Sequence, residues 1–167
     1  RLCINGAGIQ YRWMKNNTGA NSYEQMNQLA AKQDIGSDGL LVYPFGNGAE
    51  RMLNNLNINA RYINLNLNQH VRGSMYRATL EGIAFSFVYG IKFIEDDNFN
   101  LALIKAGNDN LFKSAVFSQT ISTLLGKEIQ LYNTTGAIGA ARASSTNVKD
   151  LDACLLYTSP SPRDPRE

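Results

Sequence analysis

Four glycine-rich segments are the features of this sequence best suited to chemistry on a ligand. They are Gly6-Ala7-Gly8, Gly46-Asn47-Gly48, Ala106-Gly107-Asn108 and Gly136-Ala137-Ile138-Gly139. Glycine lets backbone approach a ligand closely, and such loops at strand ends favour nucleotide binding in α/β sheets. Each loop alone is a weak signal, because a glycine serves a tight turn equally well. A Walker lysine motif and a Gly-x-Gly-x-x-Gly in a strand–helix context are both missing from the sequence, which excludes P-loop and Rossmann binding.

The remaining reactive residues do not combine into a catalytic or metal-binding set. His70 is the only histidine, and its place at the start of a predicted helix favours a helix-terminal or surface role over catalysis. Two cysteines and one histidine exclude a Cys/His zinc site. Glu50-Arg51 and Asp96-Asp97 lack the spacing of a metal site and are predicted to be solvated or salt-bridged. We therefore name no catalytic residue and no metal ligand.

Length and composition are those of one globular domain. A chain of 167 residues can bury a core but is too short for a two-domain enzyme. The net charge of +2 is small and evenly scattered, so we expect neither nucleic acid nor a membrane surface as a partner. The longest apolar run, 82–94, is interrupted by polar residues, and the start carries no signal peptide. We expect a reducing, cytoplasmic setting.

Hydrophobic periodicity predicts an α/β fold with strands buried between helices. The longest predicted helix has apolar residues at every third or fourth position, and its aromatic side chains are expected in the core. Ser22 is a predicted N-cap, Gly126 a predicted helix end and Pro44 a predicted strand end. The predicted helices cover 9–15, 22–31, 69–94, 114–125 and 135–142, and the predicted strands cover 40–43, 60–68, 101–105 and 128–132.

The segment 154–167 differs in composition from the rest of the chain. Three of the four prolines fall in its last eight residues, whereas the remainder contains only Pro44. From Cys154 to Asp164 the sequence resembles a transposase sequencing adapter translated in frame, so we predict that 154–167 is an artefact rather than a domain. A genuine Pro/Ser tail is the alternative. Because the chain also begins at Arg1, we expect a native domain, 1–153, that is truncated at both ends.

Three segments resemble signature segments of the FGGY carbohydrate kinases. Residues 39–51 are similar to the family's Pro-Tyr/Phe…Gly-Glu-Arg segment, and residues 77–85 resemble its Arg-Ala-x-x-Glu-Gly-x-Ala-Phe helix. Residues 136–141 match its closing Gly-Ala-x-Gly-Ala-Ala helix. The three segments occur in the family's order and spacing, so the resemblance covers nearly all of 1–153. Within the family, the sequence most resembles the xylulokinase-like branch.

The resemblance implies a fold and an activity. The fold is a ribonuclease H-like, actin-like ATPase domain, the second and nucleotide-side domain of a sugar kinase. The activity is transfer of the γ-phosphoryl of ATP, with Mg²⁺, to a hydroxyl of a ketopentose, D-xylulose first. The family's catalytic aspartate and most sugar contacts belong to a first domain, which with the substrate phosphates mainly holds the Mg²⁺. The resemblance therefore implies that this fragment is inactive alone; it also leaves a homodimer open, since relatives often dimerise.

The same resemblance assigns nucleotide contacts to individual residues. Positions in the Gly-Ala-Gly-Ile-Gln segment contact ATP in glycerol kinase-like members, and Gly107 matches the glycine of the adenosine loop. The implied nucleotide-binding residues are Gly6, Gln10, Gly107, Asn108 and Asn110, with Ser114 as an alternative hydrogen-bonding residue. Thr135 stands where many relatives carry an acidic residue and is expected to cap the last helix.

Two other functions stay open at the level of sequence. One is a kinase for another sugar or polyol, such as glycerol. The other is a non-catalytic nucleotide-binding module with the same actin-like fold.

Overall fold

The computed structural model describes residues 4–95, 101 and 103–144. The segment 154–167 and the pair Asp96-Asp97 lie outside these residues. Short 3₁₀ turns cover Ser37–Gly39, Arg51–Leu53 and Asn110–Lys113. The described helices are α1 (Ala7–Thr18), α2 (Tyr23–Ala31), α3 (Arg72–Glu95), α4 (Ala115–Leu125) and α5 (Gly136–Ser144), and the strands are β1 (Leu41–Phe45), β2 (Asn59–Ile63), β3 (Ile104–Gly107) and β4 (Ile129–Tyr132).

Helix α3 is the centre of the core and confirms the long predicted helix. It packs against α1, α2, α4 and β1, so that apolar side chains from several elements meet around it. The helix begins three residues later than predicted because residues 66–70 form a turn. In that turn the backbone N–H of His70 donates to the carbonyl of Asn66 at 2.9 Å, and His70 Nδ1 accepts from the Asn66 N–H at 3.0 Å.

The aromatic side chains of α3 divide between the core and the surface. Tyr76 is buried, and the ring of Phe87 meets that of Phe117 edge-on at a centroid distance of 5.5 Å. Phe85, Tyr89 and Phe93 are 42%, 55% and 59% exposed. They lie four residues apart on one helix face, which the other described elements leave uncovered. The prediction that the aromatic residues of this helix belong to the core is therefore wrong for these three.

Strands β1 and β2 pair antiparallel, with Leu41 opposite Ile63 and Phe45 opposite Asn59. Pro44 lies inside β1, opposite Ala60, so the prediction that it ends the strand is wrong. A strand that pairs on one side only tolerates proline, because the missing N–H need not reach a second strand. The predicted strand 60–68 is shorter than expected, because Asn64 has a φ of +62° and Leu67 beyond it is 85% exposed.

Strands β3 and β4 pair parallel through the crossover helix α4, from Ile104 opposite Ile129 to Gly107 opposite Tyr132. Within the described residues the four strands thus form two separate two-stranded sheets. The mixed α/β class is confirmed, but the strands are not buried on both faces. In β1, for example, Val42 faces α3 while Leu41 and Tyr43 are exposed, because helices cover only one face of that sheet.

The capping residues predicted for three helices are confirmed, although α1 extends beyond the predicted 9–15 at both ends. The Ser22 side chain accepts from the Gln25 N–H at 3.1 Å, and Thr135 Oγ1 accepts from the Ile138 N–H at 3.3 Å. Gly126 ends α4 at a φ of +62°, where a side chain would be strained. None of the helices in the described residues is long and apolar enough to cross a membrane.

A close contact between α3 and β1 makes Gly82 a sensitive position. A Cβ atom there would lie 2.2 Å from the carbonyl oxygen of Val42, which is backbone and cannot move aside cheaply. We expect Gly82→Ala to lower the free energy of unfolding by roughly 1–3 kcal/mol, measured by urea denaturation. Gly8→Ala is the matched control, because Gly8 is also helical but has open space around it. The control should be neutral or stabilise by up to about 1 kcal/mol. Equal losses in both variants would contradict the packing explanation.

Candidate nucleotide-binding site

A cavity of about 690 Å³ lies between α1, α2 and the start of α4. Gly8 and Tyr11 line it from α1, and five residues of α2 line it from Tyr23 to Ala31. The segment from Asp109 to Val116, which joins β3 to α4, forms the opposite side. Three helices and one loop therefore meet at a cleft whose volume is typical of small-ligand sites.

Two tyrosines and an asparagine form the wall on the side of α1 and α2. The rings of Tyr11 and Tyr23 stack with a centroid distance of 6.0 Å and an interplanar angle of 22°. The Tyr11 hydroxyl donates to Asn27 Oδ1 at 2.9 Å, which orients that amide. Lys15 Nζ lies 5.4 Å from the centre of the Tyr23 ring. The wall thus combines flat aromatic surface with amide groups that can hydrogen-bond a ligand.

Burial raises the pKa of Tyr11 well above its ordinary range, and the nearby phenols of Tyr76 and Tyr23 raise it further. The first effect arises because a phenolate loses hydration inside the protein, and the second because neighbouring phenolates would repel it. Tyr11 is therefore a neutral hydrogen-bond donor throughout the physiological pH range. Its role at the cavity is to pack and to donate, not to exchange protons.

On the opposite wall, the chain makes a 3₁₀ turn and then enters α4. The Asp109 side chain accepts from the Asn110 N–H at 2.8 Å and fixes the turn. Ser114 is buried, and its hydroxyl has no hydrogen-bond partner within the described part of the chain. It precedes α4 without a side-chain capping bond, so the first N–H groups of α4, at Ala115 and Val116, begin at the cavity. A ligand here would meet the start of α4 at Ala115 and Val116, whereas the buried Ser114 does not line the cavity.

The structure separates the residues that the sequence assigned to a nucleotide. Asn110 lines the cavity, whereas Gly107 and Asn108 lie just before it at the end of β3. Gly107 approaches the Thr134 carbonyl so closely that a Cβ would lie 2.7 Å from its oxygen. The Asn108 side chain is exposed, and its N–H donates to the Tyr132 carbonyl at 2.8 Å.

The other two predicted residues lie at the start of α1. Gly6 packs on β1, where a Cβ would lie 2.2 Å from the Pro44 carbonyl oxygen. Gln10 is buried, and its Nε2 donates to the Tyr62 hydroxyl at 3.0 Å, so its side chain faces the β1–β2 sheet. Gly8, between them, lines the cavity. The assignment of Gly6 and Gln10 to a nucleotide stays a prediction, and in this structure both hold α1 against the sheet.

Tyr11, Tyr23, Asn27 and Gln28 were not foreseen as cavity residues. Their helices were predicted, but a helical pattern shows only which face is apolar and not which element faces it. Glu24, Asn27 and Gln28 lie on the polar side of α2 and therefore look like a solvated surface in the sequence. Gly8, from the first glycine-rich segment, and Asn110, from the predicted nucleotide-binding residues, are the two sequence signals that point toward this cleft.

The prediction that Glu50 is solvated or salt-bridged is wrong. Glu50 is 1% exposed, and its Oε2 accepts from the backbone N–H of Asn5 at 2.9 Å. The Asn5 side chain in turn donates to the Ala49 carbonyl at 2.7 Å. These bonds join the turn before α1 to the loop after β1, so the buried carboxylate helps to set where α1 begins. Arg51, by contrast, is exposed as expected.

A second cavity of about 320 Å³ lies between β1 and the middle of α3. Its lining is mostly apolar, and two of its polar side chains are already engaged. Glu81 accepts from Arg77 and Gly36, and the Ser86 hydroxyl donates to the Ile83 carbonyl at 2.7 Å. The larger cavity has more groups that could orient a polar ligand and is the candidate site.

The amino-acid sequence of this chain is similar to those of several sugar kinases. The chain is 31% identical over 110 residues to a xylulose kinase of Haemophilus influenzae, a match covering 64% of this chain and 21% of that protein. It is 33% identical over 89 residues to a xylulose kinase of Staphylococcus epidermidis, covering 53% and 18%. A gluconokinase of Bacillus subtilis is 28% identical over 94 residues, covering 50% and 18%. Over part of its length the chain is thus similar in sequence to carbohydrate kinases, as its resemblance to the FGGY family predicts. It spans about a fifth of the length of the relatives it matches, and no family model matches it.

Solved structures of FGGY kinases share the fold. The ligand-bound xylulose kinase of Lactobacillus acidophilus matches with a TM-score of 0.71 at 20% identity, over 95% of this chain and 33% of that one. The xylulose kinase of Rhodospirillum rubrum gives 0.67 at 24% identity, over 78% and 26%. The glycerol kinase of Plasmodium falciparum with ADP gives 0.69 at 18% identity, over 95% and 32%. The expected actin-like ATPase fold of this family is thereby confirmed.

The buried phenol of Tyr11 predicts that the stability of this chain depends on pH. An acid whose pKa is raised by folding holds its proton more tightly in the folded chain. Below about pH 10, the pKa of tyrosine in the unfolded chain, the phenol contributes fully to stability. That contribution is lost as the pH rises from there toward the higher pKa of the folded chain. We therefore expect the urea midpoint of the wild type to fall more steeply between about pH 9 and 11 than that of Tyr11→Phe. Tyr43→Phe, at an exposed position, should keep the wild-type slope. Parallel slopes for all three proteins would contradict the assignment to Tyr11.

Proposed function

We propose that this chain is the nucleotide-side domain of an ATP-dependent carbohydrate kinase. The complete enzyme would transfer the γ-phosphoryl of ATP to a hydroxyl of a ketopentose, D-xylulose first, in the cytoplasm. The observation that carries the proposal is the 690 Å³ cavity bounded by α2 and the Asp109–Val116 segment, in a chain whose relatives include xylulose kinases.

The adenosine part of the nucleotide suits the wall of α1 and α2. The exposed ring of Tyr23, which stacks on the buried ring of Tyr11, offers an aromatic surface beside which a base can pack. The side chains of Asn27 and Gln28 offer both donors and acceptors, as does Asn110 from the opposite wall. We propose that these groups hold the base and ribose.

The phosphate part suits the start of α1. Gly8 lines the cavity with open space around its Cα, and the first turn of α1 contains no acidic residue. The first N–H groups of a helix and the positive end of its dipole favour an anion. The close packing of Gly6 on the Pro44 carbonyl holds that turn in place. Gly6 is therefore proposed to act mainly through its backbone.

For Mg²⁺ we propose that the nucleotide phosphates, rather than these residues, supply most of the ligands. No group of three or more acidic, histidine or cysteine side chains comes together within the part of the chain that the structure describes. Mg²⁺ is commonly bound through substrate phosphates with few protein carboxylates. We therefore assign no metal-dependent step to these residues. The ion would be held by the nucleotide and the rest of the enzyme.

The choice of sugar rests on the relatives. Two of the sequence relatives are xylulose kinases, one is a gluconokinase, and a glycerol kinase shares the fold. Gluconate and glycerol therefore remain alternative acceptors. A nucleotide-binding module without catalysis is the alternative from a different functional class.

Filling the cavity with a bulky side chain should weaken nucleotide binding. Ala115 lies in the first turn of α4 and lines the cavity, so we expect Ala115→Trp to weaken ATP binding at least about tenfold in isothermal titration calorimetry. Ala137→Trp is the matched control, because it lies in the first turn of α5, is exposed and does not line the cavity. ATP binding that survives Ala115→Trp would place the nucleotide elsewhere.

Binding and phosphoryl transfer should separate in the 167-residue chain. We expect the purified chain to bind ATP but to release no ADP when D-xylulose, gluconate or glycerol is added. The physical reason is that transfer needs in-line positioning of the acceptor and exclusion of water by a second domain. A coupled assay with each sugar tests this, and sugar-dependent ADP release would overturn the domain assignment.

A further inference from the structure

The Arg-Ala-x-x-Glu-Gly segment of α3 does not contribute to the candidate site, yet its charged residues are buried. Arg77 and Glu81 are 9% and 3% exposed, and Arg77 Nε donates to Glu81 Oε1 at 2.7 Å. Taking two charges out of water is costly, so such a pair contributes little net stability compared with apolar residues. Stability therefore does not account for the burial of this pair, and its role must lie in the hydrogen bonds that the two side chains make in fixed directions.

Those bonds converge on the chain that follows α2. Arg77 Nη1 donates to the carbonyl of Gln33 at 2.9 Å, and the N–H of Gly36 donates to Glu81 Oε1 at 3.1 Å. Gln33 and Gly36 lie just beyond the last residue of α2, in the connection that leads to β1. The two charges thus bind both ends of one short loop.

The first turn of α3 fixes the end of α2 from another side. The Ser74 hydroxyl donates to Gln33 Oε1 at 3.2 Å. At Gly73 a Cβ atom would lie 2.9 Å from the Leu29 carbonyl and 2.8 Å from Gln33 Nε2. The carboxyl end of α2 is therefore held on α3 by polar contacts and by a backbone approach that only glycine permits.

Helix α2 is one wall of the cavity and contributes five of its lining residues. We propose that the Arg77–Glu81 pair positions this wall, so that the pair sets nucleotide affinity without touching the nucleotide. The inference rests on the proposed function of the cavity. Arg77 and Glu81 are positioning residues: they act through Gln33 and Gly36 on α2, and through α2 on Asn27 and Gln28.

The decisive variant is Arg77→Met combined with Glu81→Leu, because apolar residues of similar volume can replace a buried ion pair without loss of folding. We expect this variant to keep its helical circular dichroism but to bind ATP roughly 2- to 30-fold more weakly in calorimetry. Amide hydrogen exchange in α2 and the loop to β1 should be faster. Arg77→Lys, which keeps the charge but loses the planar fork, should lie between this variant and the wild type.

Val88→Ala is the control for a purely structural effect. Val88 is a buried core residue in the second half of α3, so its loss should lower the melting temperature while ATP affinity and α2 exchange stay unchanged. Wild-type affinity and unchanged α2 exchange in the double variant would overturn the positioning role while leaving the proposed function intact. If the wild type binds no ATP, the proposed function fails, and the exchange comparison alone decides whether the pair holds α2.

Discussion

Nine consecutive residues of α3, 76–84, are buried. Because they span more than two helical turns, this part of the helix is buried around its whole circumference, and other elements must pack against all of its faces. This constraint organises the described chain. Helices α1, α2 and α4 cover the apolar stripe, and β1 lies against the side that bears Gly82. The polar side chains in this stretch cannot face water, so each needs an internal partner. Thr79 accordingly donates to the Met75 carbonyl at 2.7 Å, and Arg77 pairs with Glu81.

The candidate site is a consequence of that arrangement. Helices α1, α2 and α4 are all fixed on α3, but α2 and the entry into α4 do not close on each other. The cleft left between them receives Gly8 from α1, the stacked pair of Tyr11 and Tyr23, and the segment that leads from β3 into α4. A site that lies between elements held by a common core is rigid on three sides, which limits the entropy lost when a ligand binds.

Polar groups set the positions of these elements as much as apolar packing does. The buried Glu50 carboxylate joins the turn before α1 to the loop after β1, and Arg77 with Glu81 joins α3 to the loop after α2. Apolar packing is non-directional, so it constrains volume and shape more than the alignment of one backbone group with another. Directional hydrogen bonds to backbone fix one arrangement, and in this domain they fix α1 and α2, two of the three helices that line the cavity.

The sequence by itself determined the helices, their caps and the mixed α/β class, because periodicity, capping and turn chemistry are local properties. Its three signature segments also pointed to the carbohydrate kinases that the chain proves similar to. Pro44 within β1, the exposed Phe85, Tyr89 and Phe93, and the burial of Glu50 were decided only by tertiary structure. Tertiary structure also decided which residues line the cavity, where Gly8 and Asn110 meet Tyr11, Tyr23 and Asn27. The physical reason is common to all of these: which face of an element is covered depends on its neighbours in space, and a local pattern does not contain them.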